Sequence, residues 1–155
     1  MYGEMAHAPG TLSTYLHGYD WFRRESGFTP AEQEVVLLII SRENACHYCV
    51  AAHSMIAEMV SKVPPQAIRA IREGAAIDDP KLRALAAFVK EMVQTRGNPS
   101  RAGLQAFISA GYSEQQALQV VLAIAVKTIS NYTNHLFDTP VDAAFASHAL
   151  PTGMK

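Results

Sequence analysis

Apolar residues recur along this chain at intervals of three and four, and nowhere in the sustained alternation of a strand; that periodicity decides the fold class. Leu12, Tyr15, Leu16, Tyr19 and Phe22 share one face of a helix that closes near Gly27. Leu82, Leu85, Phe88, Val89 and Met92 repeat the pattern between Asp79-Pro80 and Gly97. Ala117, Val120, Val121, Ile124, Ile129, Tyr132 and Leu136 repeat it again after Ser113, which with Gln116 forms a capping pair. Shorter helices are expected over 66–73 and 100–110, where Gly74 and Gly111 supply the stop signals, and the tail after Pro140 reads as a short helix or irregular chain. These segments imply an all-α bundle of about seven or eight helices.

One segment differs in kind. Thr29-Pro30-Ala31-Glu32 starts a helix by three rules at once: an N-cap threonine, proline at the first helical position, and glutamate closing a capping box. The run Val35–Ile40 that follows is aliphatic without interruption, which implies burial on nearly every side. Glu34 sits at the edge of that run inside the same helix, either solvated or held for use.

At 155 residues and 49% hydrophobic content the chain can bury one sizeable core, so a single domain over 1–155 is expected. Its 13 basic and 14 acidic residues are mixed without runs of like charge, which offers no footprint for nucleic acid or a membrane surface. The stretch Ala117–Ile129 is broken by Gln119 and Lys127, whereas a membrane span needs ~20 apolar residues. Met1–Gly10 lacks the basic start and apolar middle of a secretory signal, so the cytoplasm is the expected compartment. No glycine-rich phosphate loop follows a strand, and no cofactor is expected.

The two cysteines carry the chemistry. Cys46 and Cys49 lie at the start of a helix expected to run from about Cys46 or His47 to Val60, where free amide N–H groups and the helix dipole favour a thiolate. Three residues apart on a helix, the sulfurs are close enough to form a small disulfide, so a sulfenic acid on one can be resolved by the other. His53 follows Cys49 by one turn, on the same face, and can exchange the cysteine proton near neutral pH. A carboxylate such as Glu34 would orient that imidazole and raise its basicity.

Glu34, Cys46, Cys49 and His53, together with the small residues of Cys49-Val50-Ala51-Ala52-His53, resemble the signature of the alkyl hydroperoxidase D and carboxymuconolactone decarboxylase family. Asn131-Tyr132-Thr133-Asn134-His135 before Thr139-Pro140 also resembles the C-terminal segment of some members. The resemblance implies an all-α homo-oligomer, commonly a trimer or hexamer, with peroxidase or disulfide-reductase activity of the peroxiredoxin type. It implies that Cys49 becomes the sulfenic acid, that Cys46 supplies a proton and closes a Cys46–Cys49 redox disulfide, and that His53 and Glu34 relay protons. The implied partners are a hydroperoxide or disulfide substrate and a lipoyl or thioredoxin-like thiol reductant. Tyr48 departs from the pattern, since the best-known peroxidase members carry histidine immediately before the second cysteine. Tyr48 can donate a hydrogen bond but, with an ordinary pKa of ~10, it is no base at neutral pH. His47 and His135 are secondary candidates, the latter approaching from the last helix.

Three other readings stand beside this one. Cys46, Cys49 and His53 are acceptable zinc ligands but lack an evident fourth, so no metal is expected. The disulfide could instead govern partner binding as a redox sensor without peroxide turnover. A non-redox lyase of the decarboxylase branch would need only His53 and Glu34, though that branch generally lacks the cysteine pair.

Overall fold

The computed structural model describes residues 1–150, which form eight α-helices and one 3₁₀ segment. In chain order these are α1 (Tyr2–Met5), α2 (Pro9–Glu25), α3 (Pro30–Glu43), α4 (His47–Met59), α5 (Pro65–Glu73), α6 (Pro80–Gln94), α7 (Arg101–Ser109), α8 (Glu114–Leu136) and the 3₁₀ segment Ala143–His148. No strand forms among the described residues, as the apolar spacing requires. The one helix without a sequence signal is α1, a single turn. Among the described residues no helix is long and apolar enough to cross a membrane.

The capping rules act as expected. Thr29 and Glu32 close a reciprocal capping box on α3, Ser113 and Gln116 close another on α8, and Asp79 and Ser100 cap α6 and α7 through their side chains. Each satisfies amide groups that the first helical turn leaves unpaired.

Helix α3 is the axis of the molecule. Every residue from Glu32 to Ser41 is buried, because α4, α5, α6 and α8 pack around it. On its α6 side lies an aromatic stack, with Phe88 and Phe107 at 4.3 Å between ring centroids and Phe107 and Tyr112 at 4.6 Å. Helix α2 lies along α8, and Gly18 permits the approach: a Cβ there would stand 2.8 Å from Val126 Cγ2. The 3₁₀ segment returns across α4.

Candidate active site

The turn between α3 and α4 fixes the cysteines. Ala45 adopts φ 54°, and the Cys46 N–H donates back to the Ser41 carbonyl at 2.9 Å. Cys46 thereby becomes the N-cap of α4, without a side-chain cap hydrogen bond, and Cys49 lies in its first turn, near the positive end of the helix dipole. Both are free thiols, buried to 1% and 3% exposure.

The two sulfurs divide one proton between them. The hydrogen bond from Cys46 holds the Cys49 thiol well below its ordinary pKa; burial opposes this, and the positive charge of Lys127 reinforces it. The same bond, together with burial, drives the Cys46 thiol upward. Cys49 is therefore the more acidic sulfur and Cys46 the less acidic, the division that a nucleophile and its resolving partner need. Asn134 Nδ2 adds a donor 3.2 Å from Cys49 Sγ and 3.8 Å from Cys46 Sγ.

Behind the sulfurs runs a buried chain of charged groups. His53 Nδ1 lies 2.8 Å from Glu34 Oε2, and His53 Nε2 lies 2.9 Å from Lys127 Nζ. Glu34 Oε1 is bound by Arg23, which also reaches the Tyr19 hydroxyl at 2.6 Å and Gln33 Oε1 at 3.1 Å. Burial alone would raise the Glu34 carboxyl, but His53 and Arg23 overcome it and keep the group below the usual carboxylate range. Burial, aided by the Lys127 charge, lowers the proton affinity of His53 against the pull of Glu34. A neutral imidazole beside an ionised carboxylate donates from Nδ1 to Glu34, which leaves Nε2 to accept from Lys127.

The structure brings Glu34 against His53, a meeting that sequence alone does not place, on the helix that carries Cys49, and His53 Nε2 meets Lys127 where the spacing suggests exchange with the Cys49 proton. Tyr48 turns outward: its hydroxyl donates to Asp142 Oδ2 at 2.6 Å, and its ring meets Phe145 edge-on at 5.9 Å. Burial and then Asp142 raise the Tyr48 phenol further, so it anchors the 3₁₀ segment and offers no base. His47 is exposed and lines a surface cleft with Arg42, Val50 and Arg72. His135 is also exposed, stacked on Tyr132, which corrects the expectation that it approaches the site. One helical residue turns a side chain by about 100°, so Asn134 points inward where His135 points out. Among the described residues, no three His, Cys, Asp or Glu side chains are arranged to hold a metal ion.

Arg23, Lys127 and Asn134 were missed in the sequence. The available signal lay in α8, whose buried face carries Lys127, Ser130, Asn131 and Asn134. Those positions have the three-and-four spacing of a core stripe but hold polar residues.

The model of the carboxymuconolactone decarboxylase family matches residues 9–91. The chain belongs to this family. The matched segment contains Arg23, Glu34, Cys46, Cys49 and His53 and ends before Lys127 and Asn134. No curated protein matches the chain. Among solved structures, it is similar to the alkylhydroperoxidase AhpD core of an uncharacterized peroxidase-related protein from Ralstonia eutropha JMP134. The identity is 24%, the TM-score 0.78, and the match covers 96% of this chain and 80% of that one. An uncharacterized peroxidase-related protein from Silicibacter sp. TM1040 is similar at 19% identity and TM-score 0.73, with 86% and 71% covered. The debrominase Bmp8, as a cysteine-to-alanine variant in complex with 2,3,4-tribromopyrrole, is similar at 19% identity and TM-score 0.77, with 93% and 77% covered. These likenesses establish an AhpD-like helical fold for this member of the family.

Proposed function

We propose that this family member is a thiol-dependent peroxidase that reduces hydroperoxides at Cys49 and closes a Cys46–Cys49 disulfide in each cycle. The observation that carries the reading is the geometry of the sulfur pair: two buried free thiols at the first turn of α4, with Asn134 Nδ2 3.2 Å from Cys49 Sγ and 3.8 Å from Cys46 Sγ, and with the Cys49 pKa lowered where that of Cys46 is raised. The Cys49 thiolate attacks a peroxide oxygen, the O–O bond breaks, and the leaving alkoxide takes a proton from the buried relay to become an alcohol. Cys49 is then a sulfenic acid. Cys46 attacks its sulfur, water leaves, and the disulfide forms. An external dithiol, lipoyl or thioredoxin-like, reduces the disulfide and restores both thiols.

Burial of both sulfurs favours a small hydroperoxide over a folded protein disulfide as substrate. The same reading takes residues 1–155 as one cytoplasmic domain that works as a trimer or hexamer, for which exposed Leu118, Val121, Tyr132 and Leu136 on α8 offer apolar contact surface. The test is steady-state consumption of an organic hydroperoxide under a dithiol reductant, with the native protein, Cys49→Ser and Cys46→Ser side by side. Both substitutions are expected to abolish turnover. Sustained turnover in either variant, or none in the native protein, rejects the proposal.

A further inference from the structure

We propose that Lys127 is the group that gives and takes the Cys49 proton, and that His53 and Glu34 act through it as positioning residues. The inference rests on the peroxidase reading for its catalytic step, but its geometry stands apart from any turnover.

Both ring nitrogens of His53 are engaged, Nδ1 with Glu34 at 2.8 Å and Nε2 with Lys127 Nζ at 2.9 Å. No lone pair on the imidazole remains for a sulfur proton. Lys127, 2.9 Å from His53 Nε2 and on the same face of α8 as Asn134, is the next charged group toward the sulfurs, and its positive charge bears on Cys49.

Lys127 is 1% exposed, and an unpaired ammonium at that depth is strongly disfavoured. Across the cluster, Arg23 from α2 answers Glu34 from α3, and His53 from α4 is neutral. Tyr15 and Tyr19 on α2 keep their protons, because burial raises both. Cys46 is held as the thiol. Among the described residues, the remaining buried group that can answer the Lys127 charge is the Cys49 thiolate. The resting pair is therefore ammonium and thiolate, and its neutral form is amine and thiol.

Lys127 and Asn134 lie two turns apart on one face of α8, with Lys127 on the imidazole and Asn134 donating to the sulfurs. Seven residues on a helix return to nearly the same direction, so one rigid element sets both groups.

The cycle then balances. Thiolate, hydroperoxide and Lys127 ammonium give sulfenic acid, alcohol and Lys127 amine. Cys46 thiol and the sulfenic acid give disulfide and water, with the amine free to carry the Cys46 proton to the departing hydroxide. The dithiol reductant returns two thiols and is itself oxidised to a disulfide. The Cys49 proton passes to the amine, which restores the starting pair.

The test reads the thiolate directly, by iodoacetamide alkylation of Cys49 and thiolate absorbance against pH. Lys127→Met is expected to slow alkylation at neutral pH by at least about 10-fold and to move its midpoint toward that of an ordinary thiol. Lys127→Arg, which keeps the charge but holds its proton, is expected to retain the alkylation profile and lose peroxide turnover. His53→Gln is expected to retain most of the thiolate. An unchanged profile in Lys127→Met, or a thiolate lost in His53→Gln alone, overturns the proposal. Nitrogen-15 NMR of the native protein decides the case if a variant fails to fold. A neutral His53 protonated on Nδ1 at pH 7 supports the assignment, and an imidazolium there overturns it. A native protein without peroxidase turnover but with a Lys127-dependent thiolate would reject the proposed function and keep this assignment.

Discussion

Two regions of the same core are buried to the same degree by opposite means. Beside α6, Phe88, Phe107 and Tyr112 stack over one another and Leu85 and Val89 fill the space, with charge confined to the edge, where Glu32 accepts from the Tyr112 hydroxyl and pairs with Lys81. Around the sulfurs, Glu34, His53, Lys127 and Asn134 are buried alongside Cys46 and Cys49. Burial of a large apolar side chain contributes about 1.5 to 3 kcal/mol each. Burial of charges costs free energy that only complete mutual pairing offsets, and removal of one partner leaves the other exposed to the full cost. The aromatic region is therefore where the fold is stabilised, and the polar region is where that stability is drawn on to hold reactive groups without water.

The comparison can be broken at its strongest point by Phe107→Ala. A fully buried aromatic truncated to alanine is expected to lower unfolding free energy by about 3 to 5 kcal/mol in urea titration. Alkylation of Cys49 in the protein that remains folded should be unchanged. A slowed alkylation rate would mean that the two regions are one cooperative unit.

Glu34→Gln is the converse change. It leaves Arg23 unpaired and is expected to cost about 3 kcal/mol, the low end for a broken buried pair, because Arg23 is 22% exposed and can turn to water. Peroxide turnover should fall by about 100-fold, the lower range for loss of a proton-relay function. A variant as active as the native protein would remove Glu34 from the site.

The smallest effect is the pH dependence of stability, and its sign separates the regions. His53 binds a proton less readily when folded than its ordinary 6.5, because burial opposes the imidazolium. The unfolded chain therefore takes up a proton first as pH falls through about 6.5, and stability declines below that point. This proton adds a slope of at most about 1.4 kcal/mol per pH unit to a like slope from Cys49, whose thiol is lowered in the folded chain and so takes up a proton only on unfolding in this range. Glu34, also lowered from its ordinary 4.5, adds a further loss below about 4.5. Thermal melts between pH 7.5 and 5.5 should show a falling Tm, shallower in His53→Gln and as steep as native in Phe107→Ala. Equal slopes in all three would place the titrating group elsewhere.

Much of this was legible in the chain itself. The capping boxes at Thr29–Glu32 and Ser113–Gln116 act between residues three apart, so the local sequence contains both partners. The apolar spacing in α6 and α8 needs nothing distant to be read as helix. Cys46, Cys49 and His53 lie on one helix and the turn before it, so their proximity follows from helical geometry alone.

The all-α class, the helix starts and the presence of a paired-thiol motif follow from the chain alone, because each depends on contacts within a few residues. Tertiary structure alone decided which groups meet that motif. Arg23 comes from α2, and Lys127 and Asn134 come from α8, 74 and 85 residues beyond the side chains they touch. In sequence Lys127 reads as a charge interrupting an apolar run, since its partner Nε2 belongs to another helix. Tyr48 and His135, both adjacent to residues of the site, point away from it because of the rotation of their own helices. The reason is physical: backbone periodicity is set by neighbours along the chain, whereas the pairing of buried charges is set by whichever helices the core packs together.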